Sequence, residues 1–215
     1  MRLFLAPGVH AVQVRDDIVF LDAGEGVYFC LGGAGDLIGL HQGAEVEVAL
    51  EAPATQLVEA GLLTRVDPRR TDMAPPTPAA SSRLGPAARA SMSARSLLAA
   101  LGVTWTVSRR FSPYSFANFL ADPASSPAVH EEPTPALLDA VAQFERLRPW
   151  LPLQGECLLR SYHLRTFLRA RGLDALWVFG VRTWPFQAHC WLQVGTTALD
   201  DDLERLTAYQ PILAV

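Results

Sequence analysis

The chain has 215 residues, of which 50% are hydrophobic and 19% are charged, so it contains enough apolar material for a folded core. Its formal net charge of −4 at pH 7 argues against a general nucleic-acid binder. The three cysteines, Cys30, Cys157 and Cys190, are odd in number and widely spaced, which favours a reducing cytosol over a disulfide framework. Because no stretch approaches the roughly 20 apolar residues of a membrane span, we predict a cytoplasmic protein with no membrane contact.

Residues 1–65 carry short alternating apolar segments that are separated by tight turns. They predict an antiparallel meander whose three strands lie at 10–15, 18–21 and 27–31. They also predict three short helices at 36–41, 45–50 and 53–60. Gly61 is placed to cap the last helix, and the apolar residues after it fold back. Three strands followed by three helices indicate a winged-helix-like module.

Residues 66–92 are rich in Pro, Ala and Ser and predict a linker. Beyond it the pattern becomes helical, with helices predicted at 94–101, 114–120 and 135–148. Thr134 and Pro135 supply an N-cap and a first-turn proline for the last of these helices. Apolar residues repeat along one face of that helix, so we expect it to pack against the helix that follows.

Cys157 opens an apolar helix that also carries several arginines. A thiol is a strong nucleophile only as a thiolate, and its pKa falls at a helix N-terminus beside an imidazolium. Pro152 and Gly155 come just before Cys157, so we expect the thiol to lie in the first helical turn. Gln154 is a candidate donor to an oxyanion. Arg160 is interpreted as part of the solvent-facing side of the helix, close enough to Cys157 to raise the local potential.

A buried strand is predicted at 176–181, and a second strand carries His189 ahead of an acidic cluster at 200–202. A Cys at a helix start, followed by His and Asp on neighbouring strands, is the layout of a papain-like or transglutaminase-like thiol site. His189 would take the thiol proton and return it to the leaving amine, and at most one Asp would orient its ring. The rest of the acidic cluster is expected to be a solvated strand end. Alternation turns Cys190 to the face opposite His189, which predicts a core residue and no metal site.

The segment Pro185-Phe186-Gln187-Ala188-His189-Cys190-Trp191, with a helical Cys157 upstream, resembles the lasso peptide biosynthesis B proteins. The likeness extends over about residues 151–215. Members of that family are transglutaminase-like cysteine peptidases that cut the leader from a lasso peptide precursor. The resemblance implies an α+β protein whose residues 93–215 form a papain/transglutaminase-like domain that needs no cofactor.

The resemblance also implies a catalytic set of Cys157, His189 and an Asp. This chain departs from the family in having Cys190 where Ala is usual. The turn before the acidic cluster is also one residue short, so the identity of the Asp is open. Asp201 is the first candidate and Asp200 is the second.

Three short segments in the N-terminal part resemble the precursor recognition element of ribosomally made peptide pathways. This element is related to the pyrroloquinoline quinone biosynthesis chaperone. The three segments lie at 19–22, 26–31 and 59–63. If residues 1–65 form such an element, the leader adds as a strand to the edge of the meander, with side-chain pockets providing selectivity. The implied leader-binding residues are those of the third strand, Val27, Tyr28, Phe29, Cys30 and Leu31.

The chain is thus predicted to be a leader peptidase with two partners. The first is the leader segment of a precursor peptide, and the second, implied by the family, is an asparagine-synthetase-like macrolactam synthetase that receives the freed core. Two alternatives remain at this point. One is a transglutaminase-like acyltransferase that uses an amine in place of water, and the other is a non-catalytic leader-binding escort whose thiol is incidental.

Overall fold

A computed structural model of the chain describes residues 1–41, 43–68, 76–83, 98, 101–105, 116, 120, 132–151 and 157–215. The predicted α+β class is confirmed, because the described residues form several β-sheets with few helices. Within the described ranges, no helix has the length and apolar character needed to cross a membrane.

The predicted meander is present and consists of β2 (Val9–Val14), β3 (Asp17–Asp22) and β4 (Val27–Leu31). Both pairings are antiparallel, and β4 lies at one edge of the sheet, with β3 as its neighbour. Alternation makes the two faces of this sheet bury different side chains. Phe20 packs into a core within the N-terminal part, whereas Val19 packs into the core that contains the C-terminal helices. The meander is therefore a layer shared by both parts of the molecule.

Two of the three predicted N-terminal helices are wrong, and the winged-helix module is not confirmed. The segments at 36–41 and 45–50 instead contain the strands β5 (Ile38–Leu40) and β6 (Glu45–Val48). Together with β1 (Arg2–Leu5) and β7 (Leu63–Thr64) they form a four-stranded sheet in the order β5-β6-β1-β7. The alternation of β6 decides its structure, because Val46 and Val48 are buried while Glu47 is exposed.

The third predicted helix is confirmed as α1 (Glu51–Glu59). It ends where Gly61 takes a positive φ of 72°, a conformation that glycine adopts without a Cβ clash. The N–H of Leu62 then donates to the carbonyl of Leu57 at 3.0 Å, and the Leu62 side chain is buried. The glycine cap and the apolar fold-back are thus both present.

The C-terminal part is built on a five-stranded sheet in the order β12-β9-β10-β11-β8. Its strands are β8 (Ser81–Ser82), β9 (Leu176–Arg182), β10 (Gln187–Val194), β11 (Thr197–Ala198) and β12 (Gln210–Ala214). Strand β8 lies inside the segment that we predicted to be a linker, and it pairs in parallel with β11. At least this part of the predicted linker therefore belongs to the C-terminal sheet.

Helix α2 (Pro135–Leu147) has the predicted cap, because the Thr134 hydroxyl accepts a hydrogen bond from the N–H of Leu137 at 3.2 Å. It continues as a 3₁₀ turn over Arg148–Trp150. Helix α3 (Cys157–Arg169) packs against α2 on one side and β10 on the other. A short helix α4 (Leu203–Leu206) follows the acidic cluster. The helices predicted at 94–101 and 114–120 lie largely outside the described residues.

Candidate active site

Cys157 is the first residue of α3, as the sequence predicts, and its side chain is half-buried. The pKa of its thiol is lowered to about 4. The largest cause is a hydrogen bond from the thiol of Cys190, and the hydrogen bond and positive charge of His189 add to it against the opposing effect of burial. Cys157 is therefore a thiolate near neutral pH. Gln154, the candidate oxyanion donor, lies outside the described residues.

His189 lies near the start of β10 with its ring largely buried. Its Nε2 contacts Oδ2 of Asp201 at 2.5 Å, which leaves Nδ1 for the thiol side. Burial disfavours the charged ring, but the hydrogen bonds to Asp201 and Cys157 and their negative charges outweigh burial and raise the pKa of His189 to about 9. Between these two pKa values the site holds a thiolate and an imidazolium.

Two aromatic rings fix the orientation of the His189 ring. Trp191 stacks on it with centroids 6.2 Å apart, and Tyr209 lies against it at 5.1 Å. Gly180, the residue of β9 opposite His189, makes this packing possible, because a Cβ at that position would lie 2.8 Å from the ring of Trp191. Nothing in the sequence pattern indicated that Tyr209 belongs to the site.

Asp201 is the carboxylate that contacts His189, and it is also the one held by Arg160. Arg160 Nη2 donates to the same Oδ2 at 2.6 Å, and the N–H of Asp202 donates to Oδ1 at 2.8 Å. Burial alone would raise the pKa of Asp201, but the hydrogen bonds from His189 and Arg160 lower it well below its usual range. Asp201 therefore remains charged and stabilises the imidazolium.

Asp202 is exposed, as we expected of the acidic cluster, but Asp200 is only 1% exposed and Asp201 only 3%, so these two residues are not part of a solvated strand end. Asp200 accepts a hydrogen bond from the N–H of Leu192 at 2.8 Å, and burial raises its pKa to about 7. Asp202 caps α4 by accepting a hydrogen bond from the N–H of Glu204 at 3.1 Å. Asp201 thus contacts the ring of His189, Asp200 binds the backbone of β10, and Asp202 caps the start of α4.

Arg160 does not lie on a solvent-facing side of α3. It follows Cys157 by three residues, which places both on one helix face. Its guanidinium bridges the acidic cluster, with Nε 3.9 Å from Asp200 Oδ2. The i, i+3 spacing of Cys157 and Arg160 is the sequence feature that could have indicated that Arg160 lies at the site. Ser82, whose hydroxyl donates to the carbonyl of Asp201 at 2.6 Å, gave no such signal.

Cys190 belongs to the core, as alternation predicts, but it also contacts the Cys157 thiol, which we did not expect. Both properties hold because α3 packs on the same face of β10, so Cys157 rests against the core cluster that contains Cys190. The Cys190 thiol lies 3.4 Å from the hydroxyl of Ser161, which itself donates to the carbonyl of Cys157. The site therefore has two thiols in contact.

Strand β4, where we predicted leader binding, runs beside this site. All five candidates, Val27, Tyr28, Phe29, Cys30 and Leu31, lie in β4. The Tyr28 ring packs against Phe186 with centroids 5.9 Å apart, and its pKa is raised by burial and by the charges of Cys190 and Cys157. Trp184, in the turn between β9 and β10, donates from Nε1 to Asp17 at 2.9 Å and so holds that turn against the meander.

Among the residues that the structure describes, β4 is an edge strand of the meander. Within the described ranges its single strand partner is β3, so one row of backbone groups is unpaired. Val27 and Phe29 are 44% and 39% exposed there. An edge with free backbone groups and exposed apolar side chains suits an extended peptide.

Comparison with known proteins gives two matches. A family model described as the transglutaminase-like superfamily matches residues 97–214, which is more than half of the chain. The microcin J25-processing protein McjB of Escherichia coli is 44% identical over 48 residues, which are 22% of this chain and 23% of that protein. The match thus spans less than a quarter of this relative's length. No solved structure matches the chain. Both matches agree with the resemblance that the sequence indicated.

Proposed function

This chain belongs to the transglutaminase-like superfamily, and from that premise we propose that it is a leader peptidase of lasso peptide biosynthesis. It would hydrolyse the bond between the leader and the core of a ribosomally made precursor. The observation that carries the proposal is the contact of a thiolate, an imidazolium and a buried carboxylate near β4, which is an edge strand among the described residues. The similarity to McjB of E. coli, a microcin J25-processing protein, supports the same class of reaction.

In the proposed mechanism the sulfur of Cys157 attacks the carbonyl carbon of the scissile bond. His189, protonated at rest, gives its proton to the nitrogen of the departing core peptide, and an acyl-enzyme on Cys157 remains. His189 then takes a proton from a water molecule that attacks the thioester, and the leader leaves with a free carboxylate. Asp201, held by Arg160, keeps the ring oriented and stabilises its positive charge in both steps.

In the same proposal the leader binds as an added strand at β4. The Tyr28 ring of this strand packs against Phe186, which precedes His189 by three residues, so a peptide paired with β4 would run close to the strand that carries His189. The substrate is then the leader segment of the precursor, and the proposed recipient of the core is an asparagine-synthetase-like macrolactam synthetase.

The test of this function is incubation of the protein with a precursor peptide and with a leader-free core peptide. We expect one cut at the leader–core junction of the precursor, seen by mass spectrometry, together with a transient thioester on Cys157. Adding a primary amine distinguishes the acyltransferase alternative, because transfer would give the leader amide in place of the free acid. An intact precursor after long incubation would contradict the peptidase.

Selective alkylation tests the state of the thiol, and with it the escort alternative. At about pH 6 iodoacetamide should label Cys157 far faster than the other two cysteines, because only Cys157 is a thiolate there. Burial raises the pKa of Cys30 and of Cys190. Peptide mapping after short exposure measures the three rates. Labelling of Cys157 no faster than of Cys30 would favour an escort with an incidental thiol.

Cys30 reports on the leader site, because it is exposed and lies in β4. In a Cys157→Ala background, we expect added leader peptide to slow the alkylation of Cys30, since a strand paired with β4 covers that edge. A leader peptide with prolines at alternate positions is the control, because it cannot supply the backbone N–H groups of a ladder. Equal labelling rates with and without leader would place the binding surface elsewhere.

A further inference from the structure

Cys190 lies next to the Cys157 thiol and stabilises its thiolate by a hydrogen bond, but it takes no part in the bond-making steps of the proposed mechanism. Its side chain is 2% exposed and is held between the Cys157 thiol and the hydroxyl of Ser161, 3.4 Å away. The Ser161 hydroxyl is fixed in turn by its bond to the carbonyl of Cys157. The two sulfurs are thus neighbours on one core cluster.

The two thiols differ in the way that a reversible oxidation requires. Cys157 is the more acidic thiol and is partly accessible, whereas burial and the Cys157 charge raise the pKa of Cys190. A thiolate reacts with peroxide, while a protected neighbouring thiol reacts only with the sulfenic acid that forms. Their environments therefore assign the attacking role to Cys157 and the resolving role to Cys190.

Resting on the proposed function and extending it to its regulation, we propose that Cys190 is the resolving thiol of a peroxide-driven disulfide with Cys157. The sulfur of Cys157 attacks one oxygen of hydrogen peroxide, forming a sulfenic acid and releasing hydroxide, which takes a proton from His189 to become water. The sulfur of Cys190 then attacks the sulfur of Cys157, and the sulfenic hydroxyl leaves with the Cys190 proton as a second water. The two sulfurs are oxidised to one disulfide, and one peroxide is reduced to two waters.

The consequence is that peroxide inactivates the site reversibly. The disulfide removes the nucleophile, so peptide cleavage stops, but it also prevents oxidation of Cys157 to the sulfinic acid, which ordinary thiols do not reverse. A dithiol reductant would attack the disulfide and return both thiols.

The test compares two proteins in a Cys30→Ala background, which removes the exposed thiol that could form bonds between molecules. One keeps Cys190 and the other carries Cys190→Ala; the unfolding temperature of each is measured first to confirm folding. Each is treated with hydrogen peroxide and then with dithiothreitol, and each activity is normalised to its own untreated sample.

With Cys190 present, we expect a Cys157–Cys190 cross-linked peptide on mapping, a loss of cleavage and full recovery with dithiothreitol. With Cys190→Ala, we expect sulfinic Cys157 and a loss that dithiothreitol does not reverse. Oxidised Cys157 without the cross-link, or equal recovery in both proteins, would overturn the proposal. Because the cross-link is detected by mass, it is scored even if the protein cuts no precursor, so failure of the proposed function is a separate outcome.

Discussion

Cys157→Ala should abolish cleavage of the precursor and leave its binding intact. The substitution removes the sulfur that forms the acyl-enzyme, and losing the nucleophile of such a site lowers kcat by on the order of 10⁶. Alanine is the best helix former, so the start of α3 should persist. Cleavage is followed by mass spectrometry, and leader affinity by fluorescence anisotropy of a labelled leader peptide.

The matched control for this variant is Cys30→Ala, which removes a thiol from β4 but leaves Cys157, His189 and Asp201 in place and keeps the backbone of the proposed leader-binding edge. It should cut at nearly the wild-type rate. Residual cleavage by Cys157→Ala above the uncatalysed rate would refute a thiol mechanism. We expect Cys157→Ala to bind the leader as the wild type does. The proposed leader site is the backbone at the edge of β4, and it does not include the sulfur of Cys157.

The sequence could predict the elements whose signals are local. The meander follows from alternation interrupted by tight turns, and α1 from a helical segment closed by Gly61. The position of Cys157 at the start of α3 follows from the proline and glycine upstream of it. Each of these features depends on neighbours within a few residues, so one sequence carries enough information.

The incorrect predictions concern elements whose secondary structure depends on residues that are distant in the sequence. Residues 45–50 contain Glu, Ala and Leu, which favour a helix, yet Val46 lies opposite Leu3 of β1 and the segment becomes a strand. The Pro- and Ala-rich linker pattern could not reveal that Ser81–Ser82 pairs with β11, more than a hundred residues later. Tertiary pairing outweighed local preference in both cases.

The burial of Asp200 and Asp201 depends on the same kind of distant contact. Carboxylates are solvated unless a partner compensates for the loss of water, and the partner here is Arg160, 41 residues before Asp201. A single sequence shows that Arg160 and Asp201 have opposite charges, but it does not show that they are in contact in the fold. The contact of Cys190 with Cys157 is similar, because alternation gives the face of β10 but not which residue of α3 rests on it.

Asp201→Asn should lower kcat/KM by about 10²–10⁴-fold, because the amide cannot stabilise the His189 imidazolium or hold its tautomer. The dependence of activity on pH tests the direction of the expected pKa change. In the wild type, activity should rise as Cys157 loses its proton at about pH 4 and fall as His189 loses its own at about pH 9. Without the Asp201 charge the pKa of His189 falls, so the basic limb should move to lower pH. The acid limb should not move to higher pH, because His189 is still protonated where Cys157 titrates.

Asp200→Asn is the matched control, since it makes the same chemical change one residue away. The pKa of Asp200 is raised to about 7, so an amide resembles the protonated form that is already populated near neutral pH. Its oxygen can still accept from the N–H of Leu192. We therefore expect a loss of no more than a few-fold and an unshifted basic limb. If Asp200→Asn were the more damaging of the two, the carboxylate that serves His189 would be Asp200, and the assignment of Asp201 would be wrong.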